Sequence, residues 1–362
     1  MDDGKRQVRA APTRTPEGAV VINYRDLVSS PLSLTQAIEE AFGSDPKSLG
    51  LIVVRGLPQE YARKRERLLK LAHKFAKLDE ERREKYTDSA SSYSFGWSHG
   101  KEIMNGKPDV LKGSYYANPI IDTPDVSDED RKAYPEYHGS NIWPAADEKG
   151  VEGFEEAFKD LGRFIFNVGC ELAAACQPFA LSHLNNSEMS LPKLISTSQT
   201  TKARLLHYFP PSPDVVPAED EAIDSYCGMH LDHSLLTGLC SAMYLAEDSK
   251  TGEVTVTSSP SPDSGLYIRT RGGDLTKVTI PSDCLAFQTG EALEVATGKK
   301  LRATPHCVRV GQVPSTPNGP KISRETFALF MQPNVNEQLS PTLNFGQFSK
   351  AVFSEHYEGA TM

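Results

Sequence analysis

The chain has 362 residues, and its 39 Lys and Arg against 48 Asp and Glu give a formal net charge of −9. With one short basic tract, "YARKRERLLK", this balance argues against a nucleic-acid partner. The sequence contains no run of about 18 apolar residues and no apolar leader, so we expect a cytoplasmic protein without a membrane partner.

The first half of the chain is rich in helix-period patterns. "VINYRDL" predicts a short strand, "LTQAIEEAFG" an amphipathic helix that ends at Gly43, and "LGLIVVRGL" a buried strand. The charged pattern from Gln59 to Lys85 predicts one long helix, and residues 151–184 predict a helix with an apolar stripe that backs the core. Between them, the aromatic and Gly-rich stretch "SSYSFGWSHGKEIMNGKPDVLKGSYYANP" predicts an irregular segment near a site.

After Thr197 the pattern changes to short strands separated by Gly, Asp and Pro. This pattern favours an antiparallel sandwich or barrel. The sequence therefore predicts an α+β fold with three regions: residues 1–196, which pack helices and short strands on the barrel, residues 197–335, which form it, and residues 336–362, a C-terminal segment near the pocket mouth.

The stretch "MHLDHSLLTGL" places His230 and Asp232 two residues apart. On a β-strand, side chains at this spacing project from the same face, and an imidazole beside a carboxylate suits a divalent metal. A third ligand is needed, and His306 in "LRATPHCVRV" lies on another predicted strand. Distant strands meet inside a jelly roll, and two His with one carboxylate form the facial triad of non-haem Fe(II) oxygenases.

The surrounding segments resemble the isopenicillin N synthase-like branch of the Fe(II)/2-oxoglutarate dioxygenases. The resemblance rests on "ARLLHYFPP", "HLDHSLLTGL", the run from "GLYIRTRGGDL" to "ATPHCVRV", and "SRETFALFMQP", while "KGSYYAN" and "NIWP" echo the N-terminal half. It implies a double-stranded β-helix (jelly roll) core, an N-terminal helical region and a C-terminal helix. It also implies that Fe(II) is held by His230, Asp232 and His306.

The resemblance further implies a grip for the co-substrate 2-oxoglutarate. Arg324 and Thr326 in "SRETF" match the family's Arg-x-Ser pair, and a guanidinium can hold a carboxylate through two parallel hydrogen bonds. The chain departs from the family where relatives have Asn-Tyr-Tyr, since His207, Tyr208 and Phe209 stand there. Tyr208 is then the candidate for the remaining hydroxyl. The insertion "GQVPSTPNGPKI" predicts a longer hairpin loop.

Other candidates carry weaker expectations. His233 could form an H-x-x-H zinc pair with His230, but on a strand it would face away from it. His99 and His207 lie in segments that could line a pocket. Leu343 and Phe345 could form an apolar wall that contacts the substrate, or they could only fasten the C-terminal helix "FGQFSKAVFSEHY" to the barrel.

The six cysteines form no Cys-x-x-Cys pair, so we expect free, mostly packed thiols. Because Cys227 and Cys307 lie near the predicted ligands, a soft metal site is an alternative to the iron site.

The family resemblance implies oxidation of a C–H bond of a small molecule, with O2 and 2-oxoglutarate as co-substrates. Hydroxylation, desaturation and ring closure stay open, and the resemblance to fungal secondary-metabolite oxygenases includes aziridine formation on a small aliphatic amino acid such as L-valine. Two alternatives remain: an oxidase that uses Fe(II) and O2 without 2-oxoglutarate, and a non-catalytic binding protein. The oligomeric state is left open.

Overall fold

The computed structural model describes residues 12–101, 103–104, 107–182, 184, 188–210, 227–309 and 319–357. The strands are β1 (Thr13–Arg14), β2 (Val20–Asn23), β3 (Leu51–Arg55), β4 (Gly96–His99), β5 (Ile103–Met104), β6 (Lys107–Pro108), β7 (Lys112–Ala117), β8 (Lys202–Tyr208), β9 (Cys227–His230), β10 (Leu236–Cys240), β11 (Met243–Glu247), β12 (Val254–Thr257), β13 (Gly265–Arg269), β14 (Leu275–Val278), β15 (Leu285–Thr289), β16 (His306–Arg309), β17 (Lys321–Met331), β18 (Gln338–Ser340) and β19 (Leu343–Asn344). The helices are α1 (Tyr24–Ser29), α2 (Thr35–Phe42), α3 (Glu60–Ala76), α4 (Glu80–Glu84), α5 (Asp128–Ala133), α6 (Pro135–His138), α7 (Phe154–Leu181), α8 (Leu191–Ser196), α9 (Glu291–Ala296) and α10 (Phe345–Tyr357), with a 3-10 turn at Pro31–Leu34. Most of the predicted longer hairpin loop lies outside the described residues.

A large sheet forms the centre of the fold. Its strand order is β1-β2-β3-β15-β10-β17-β8-β7-β4, with β11 and β12 continuing beside the first half of β17. The pairs are antiparallel except for β2 with β3. The long strand β17 is therefore central: it pairs with β8 along one edge and with β10 and β11 along the other.

A second, smaller sheet has the order β14-β13-β16-β9 and lies against one face of the large sheet. Apolar side chains of both sheets share one buried cluster, which includes Leu51 and Leu206 from the large sheet and Ile268 and Val308 from the small one. Burial of these apolar side chains between the two sheets holds the sheets together. The cavity described below lies between them.

Helices cover the opposite face of the large sheet, and α7 is the longest of those described. Its buried stripe includes Phe158 and Ile165, and Phe158 meets the sheet residue Phe327 edge-to-face with ring centroids 5.1 Å apart. The most apolar 18-residue stretch of this helix has a mean hydropathy of 1.4, so by length and composition the helix could cross a membrane. Half of that stretch, however, is buried inside the protein. The burial agrees with the prediction of a helix that backs the core.

Alternation along β17 connects these two faces. Arg324, Thr326 and Ala328 line the cavity between the sheets. Phe327 and Leu329, at the intervening positions, belong to the core beneath the helices. This is the period of two expected of a strand that is buried on both faces.

Several predicted elements differ from the structure. The helix predicted from Gln59 to Lys85 is broken into α3 and α4, because the backbone of Asp79 is extended (ψ 146°) at the residue before α4 begins. Asp is favoured at such positions, and the continuous charge pattern hid the break. "VINYRDL" is a strand only up to Asn23, since α1 begins at Tyr24.

Two further corrections concern the sheets. The segment predicted as irregular contributes β4 and β7, which pair with each other at the edge of the large sheet and bury Trp97 and Tyr115. The run "EALEVA", predicted within the strand-rich half, is the helix α9. In both places short elements rich in Gly, Ser or Ala give no clear period, and tertiary packing decides their conformation.

Candidate active site

Two predicted ligands, His230 and His306, lie opposite each other in the small sheet. They are register partners on β9 and β16, and their ring centroids are 4.2 Å apart. Nδ1 of His230 lies 2.8 Å from the carbonyl oxygen of Gly228, and Nδ1 of His306 lies 3.0 Å from that of Thr304. Because a carbonyl can only accept, each Nδ1 carries the proton, and each Nε2 keeps a lone pair for a ligand.

Asp232 completes the triad from a different element than expected. β9 ends at His230, and Asp232 lies in the connection that leaves the small sheet for β10, so the prediction that both project from one strand is wrong. The backbone N–H of Glu291 donates to the Asp232 carbonyl over 2.7 Å and fixes this connection. Asp232 Oδ1 lies 3.9 Å from Nε2 of each histidine.

Electrostatics keep Asp232 and His306 in metal-binding forms. Burial raises the pKa of Asp232, but the imidazoles of His306 and His230 and hydrogen bonds from Thr237 and Gln288 outweigh it and hold this pKa below its usual value. Burial and the neighbouring His230 lower the pKa of His306 to about 4. Near neutral pH the site therefore offers a carboxylate and a neutral imidazole, the forms that ligate metals.

Gln288 is a site residue that the motifs did not predict. It is fully buried on β15, and its Nε2 donates to Asp232 Oδ2 over 2.6 Å. A carboxylate can only accept, so this contact also fixes the amide orientation. The signal available in the sequence was one polar residue inside the apolar run "CLAFQTG". The hydrogen bond leaves Asp232 Oδ1 directed at the two imidazoles.

The donor set fits Fe(II). His230, Asp232 and His306 bring their ligand atoms within 4.8 Å of one another, and two imidazoles with one carboxylate are the donors of a facial triad. His233 instead lies beside Glu291, with Nε2 3.7 Å from Oε2. Cys307 follows His306 on β16, so its side chain projects from the opposite face of the strand, and it is not part of the cluster of three ligands. The side chain of Cys227 lies outside the described residues. The five cysteines other than Cys227, Cys307 among them, form no disulfide in the described part of the chain, as predicted.

A cavity of about 230 Å³ extends from this triad between the two sheets. Arg324, Thr326 and Tyr208 line it, so the structure brings the predicted grip and the triad into one space. Arg324 is 7% exposed, and its guanidinium stacks on the Tyr208 ring at 4.8 Å. Its Nε and Nη1 are buried and have no hydrogen-bond partner among the described residues. Buried guanidinium nitrogens without a partner are costly, which points to an anionic ligand.

Leu343 and Phe345 do not line this cavity. Phe345 is fully buried at the start of α10, where its ring meets Tyr137 edge-to-face at 5.4 Å. Leu343, on the short strand β19, packs against the same core. The placement matches the alternative that these residues fasten the C-terminal helix, which spans the predicted segment Phe345–Tyr357.

His207 points away from the cavity and belongs to a buried network behind the grip. On the helix-facing side of β17, Glu325 lies 2.9 Å from Nδ1 of His207 and accepts from Ser323 over 2.7 Å. Ser323 Oγ also lies 3.0 Å from Nδ1 of His73 on α3. Burial raises the pKa of Glu325, but His207 and the hydrogen bonds of the network outweigh it, so the carboxyl pKa lies below its usual value.

His99 and Phe209 also lie outside the cavity lining. Nε2 of His99 lies 3.0 Å from the carbonyl oxygen of Val110, and its ring packs on Phe209 with centroids 4.7 Å apart. Phe209, which stands where the related sequences have Tyr, therefore does not line the cavity.

Solved structures match this chain over almost its whole length. A Neurospora crassa protein in complex with alpha-KG and 5-formyluracil is 17% identical over 91% of this chain and 89% of its own, with a TM-score of 0.63. A Caulobacter crescentus protein assigned to the 2OG-Fe(II) oxygenase family is 18% identical over 93% and 98%, with a TM-score of 0.66. The chain has the fold of the Fe(II)/2-oxoglutarate oxygenases.

JOX2 in complex with 2OG, Fe and JA has the same fold, at 14% identity over 94% of this chain and 88% of its own, with a TM-score of 0.59. No protein-family model and no curated protein sequence matches the chain. The structural matches confirm the mixed α+β class of the fold.

The triad predicts a clear difference between neighbouring variants. Asp232→Ala and His306→Ala should lose tightly bound iron, because each removes one of three ligands, whereas His233→Ala should keep it. Iron content after anaerobic loading and desalting measures this, with circular dichroism to verify folding. Iron retained by Asp232→Ala but lost by His233→Ala would overturn the ligand assignment.

The burial of Phe345 predicts a stability effect. Phe345→Ala should lower the free energy of unfolding by about 3–5 kcal/mol, because it leaves a cavity in the core. Leu343→Ala, at a half-buried position, should cost about 1 kcal/mol. Urea titration measures both losses. A stable Phe345→Ala variant with altered products would restore the substrate-wall hypothesis.

The buried network behind the grip predicts that the contribution of Glu325 to the free energy of unfolding depends on pH. Because the pKa of Glu325 is depressed, its stabilisation is complete above the unfolded-state pKa, about 4.3, and fades as pH falls through the lower folded-state value. Glu325→Gln should cost about 3–5 kcal/mol at pH 7, since it breaks a buried charge network. Unfolding titrations from pH 7 to about pH 2.5 should show this difference shrinking as the pH falls below about 4.3. A pH-independent difference would contradict the charge argument.

Proposed function

We propose that this protein is an Fe(II)/2-oxoglutarate-dependent oxygenase that oxidises an unactivated C–H bond of a small molecule. The observation that carries the proposal is the buried Arg324, whose Nε and Nη1 have no hydrogen-bond partner among the described residues, in the same cavity as the triad. A metal site alone would fit many enzymes. A metal site that faces a buried anion grip fits a chelating dicarboxylate co-substrate.

The residues around the triad would orient the metal ligands. Backbone carbonyls of Gly228 and Thr304 hold the two imidazoles, and Gln288 holds the Asp232 carboxylate. Such contacts fix ligand direction and are a regular part of metal sites. When bound, Fe(II) with 2-oxoglutarate and O2 supplies the oxidative decarboxylation and the removal of hydrogen from the substrate.

The grip would hold the far carboxylate of 2-oxoglutarate. Arg324 supplies the charged fork, and stacking on Tyr208 fixes the plane of its guanidinium. Thr326 lies two residues along the same face. Its hydroxyl is 3.5 Å from the carbonyl oxygen of Cys240, which is long for a hydrogen bond, so the hydroxyl can donate to a ligand instead. Apolar neighbours such as Leu206 and Leu266 would limit water in the cavity.

The finer assignment is also a proposal. We infer that the two facing sheets are the double-stranded β-helix of the isopenicillin N synthase-like branch, supported by the ordered motifs around the triad and the grip. The substrate would be a small aliphatic molecule, and ring closure on an amino acid such as L-valine is one outcome. The cavity volume of about 230 Å³, shared with the co-substrate, supports a small substrate.

An anaerobic titration tests the proposed function directly. Addition of 2-oxoglutarate to the Fe(II)-loaded protein should produce the visible charge-transfer band of the chelate, and O2 should then yield succinate. Substrate-dependent O2 uptake that needs no 2-oxoglutarate would favour the oxidase alternative. Absence of both the band and O2 uptake would favour a binding protein.

The grip predicts a selective loss of co-substrate affinity. Arg324→Leu should raise the concentration of 2-oxoglutarate needed for half-maximal band intensity by tenfold or more, because charge-assisted hydrogen bonds contribute about 1.5–3 kcal/mol each. Iron should stay bound, since Arg324 is not a ligand.

Arg309→Leu is the matched control. Arg309 also stacks on a tyrosine, with Cζ 4.4 Å from the Tyr267 ring centroid, but it does not line the cavity. Arg309→Leu should keep the 2-oxoglutarate concentration needed for half-maximal band intensity within about twofold of the wild-type value. An equal effect of both substitutions, or no effect of Arg324→Leu in a folded protein, would move the co-substrate site elsewhere.

A further inference from the structure

We propose that the chain has a second metal site, separate from the triad, that binds Zn²⁺. Its ligands are His73 of α3, His207 of β8 and Glu325 of β17. All three side chains are buried, and the ligand atom that each offers lies within 4.8 Å of the other two. The site lies on the helix-facing side of β17, whereas Arg324 lines the cavity on the other side. It therefore goes beyond the proposed oxygenase function and does not depend on it.

The register of the large sheet fixes two of the three ligands. His207 and Glu325 are Cα partners on β8 and β17. Ser323, two residues before Glu325, projects from the same face of β17. His73 comes from α3, which packs on both strands. A metal held by these residues would tie the helical layer to the strand that carries Arg324.

The polar atoms of this cluster have the spacing of a tetrahedral zinc shell. Oε1 of Glu325 lies 2.9 Å from Nδ1 of His207 and 3.7 Å from Nδ1 of His73. Oγ of Ser323 lies 2.7 Å from the same carboxylate oxygen and 3.0 Å from Nδ1 of His73. Zinc bonds of about 2.0–2.1 Å in a tetrahedron separate neighbouring ligand atoms by roughly 3.3 Å. The four distances lie around that value, with the Ser323 hydroxyl at the fourth corner.

Hydrogen bonds account for the contacts of the cluster but not for its charge. Glu325 is fully buried and ionised near neutral pH, and a buried carboxylate is costly unless a cation compensates it. In the described part of the chain its ion-pair partners are the two imidazoles, with no lysine or arginine. Nε2 of His207 is buried and has no hydrogen-bond partner among the described residues. A proton on His207 would leave a cationic N–H without an acceptor, whereas a metal on Nδ1 leaves that N–H on a neutral ring.

Two carboxylates flank His73 and together match the charge of a divalent ion. Its Nδ1 lies 3.7 Å from Oε1 of Glu325, and its Nε2 lies 3.6 Å from Oε2 of Glu247. With Nδ1 on the metal, Nε2 carries the proton and faces Glu247, an outer carboxylate of the kind that orients metal-bound histidines. Lys77 also pairs with Glu247, at 2.6 Å, but its side chain is 45% exposed, so solvent screens its charge. A single imidazolium would balance only one of the two carboxylates.

Metal analysis in a protein without the triad tests the site. Asp232→Ala combined with His306→Ala removes the iron ligands and isolates the second site. The full chain with both substitutions, produced with zinc in the medium and then desalted, should keep about one zinc per molecule, because the ligands are buried. Adding Glu325→Gln or His73→Gln should lower the zinc content tenfold or more. With the triad intact, the same substitutions should lower it from about two to about one per molecule.

His138→Gln is the matched control for the loss of a buried imidazole. His138 is 2% exposed, its Nδ1 lies 3.0 Å from the carbonyl oxygen of Asp130, and it is not part of the cluster. This variant should keep the zinc, with circular dichroism to verify the folding of every variant. Zinc absent from the folded protein without the triad, zinc unchanged by both ligand substitutions, or an equal loss in His138→Gln would overturn the inference.

Cobalt replaces zinc in a test that needs no substitution in the cluster, so it decides the question even where Glu325→Gln does not fold. In the protein without the triad, produced with Co²⁺, the ion should show the strong visible absorption of tetrahedral Co²⁺. Six-coordinate Co²⁺ absorbs only weakly. Weak absorption by bound Co²⁺, or no retained Co²⁺, would show that the cluster is a hydrogen-bonded network and would overturn the inference.

The charge-transfer band of the Fe(II)/2-oxoglutarate chelate separates this inference from the proposed function. That band reports on the triad and the grip, whereas zinc content in the protein without the triad reports on the His73, His207 and Glu325 cluster. A normal band in the wild-type protein together with no zinc in the protein without the triad contradicts only the second metal site. Retained zinc together with a missing band contradicts only the proposed function.

Discussion

The alternation of side chains along β17 is the constraint on which the site depends. Arg324 faces the cavity while Glu325, the next residue, is fully buried among imidazoles on the helix side. A shift of one residue in register would exchange these faces and bury each charge in the wrong environment. The buried network around Glu325 therefore fixes the direction of the guanidinium on the other face, and the helical layer is coupled to the chemistry through one strand.

The metal site shows a similar dependence on packing between elements. Two ligands come from paired strands of the small sheet, and the third comes from the connection to the large sheet, where Gln288 holds it. The triad therefore forms only when the sheets are packed face to face. The apolar cluster between the sheets supplies that packing, and its burial stabilises the site without touching a ligand.

The sequence was most informative where function depends on a short motif. His230 with Asp232, and Arg324 with Thr326, are each two residues apart in the sequence, so both pairs could be proposed as site residues, although the turn that carries Asp232 could not be predicted. Gln288 and Glu325 were missed because their roles arise from residues more than 50 positions away in the chain. Strands β4 and β7 were missed because their conformation depends on the edge of the large sheet rather than on a period of their own.

The arrangement of charges also constrains the order in which ligands could enter under the proposed function. Before 2-oxoglutarate binds, Arg324 is buried, and its Nε and Nη1 have no hydrogen-bond partner among the described residues. Buried polar nitrogens without a partner are costly, so the cavity would favour the entry of this anionic co-substrate before that of the organic substrate.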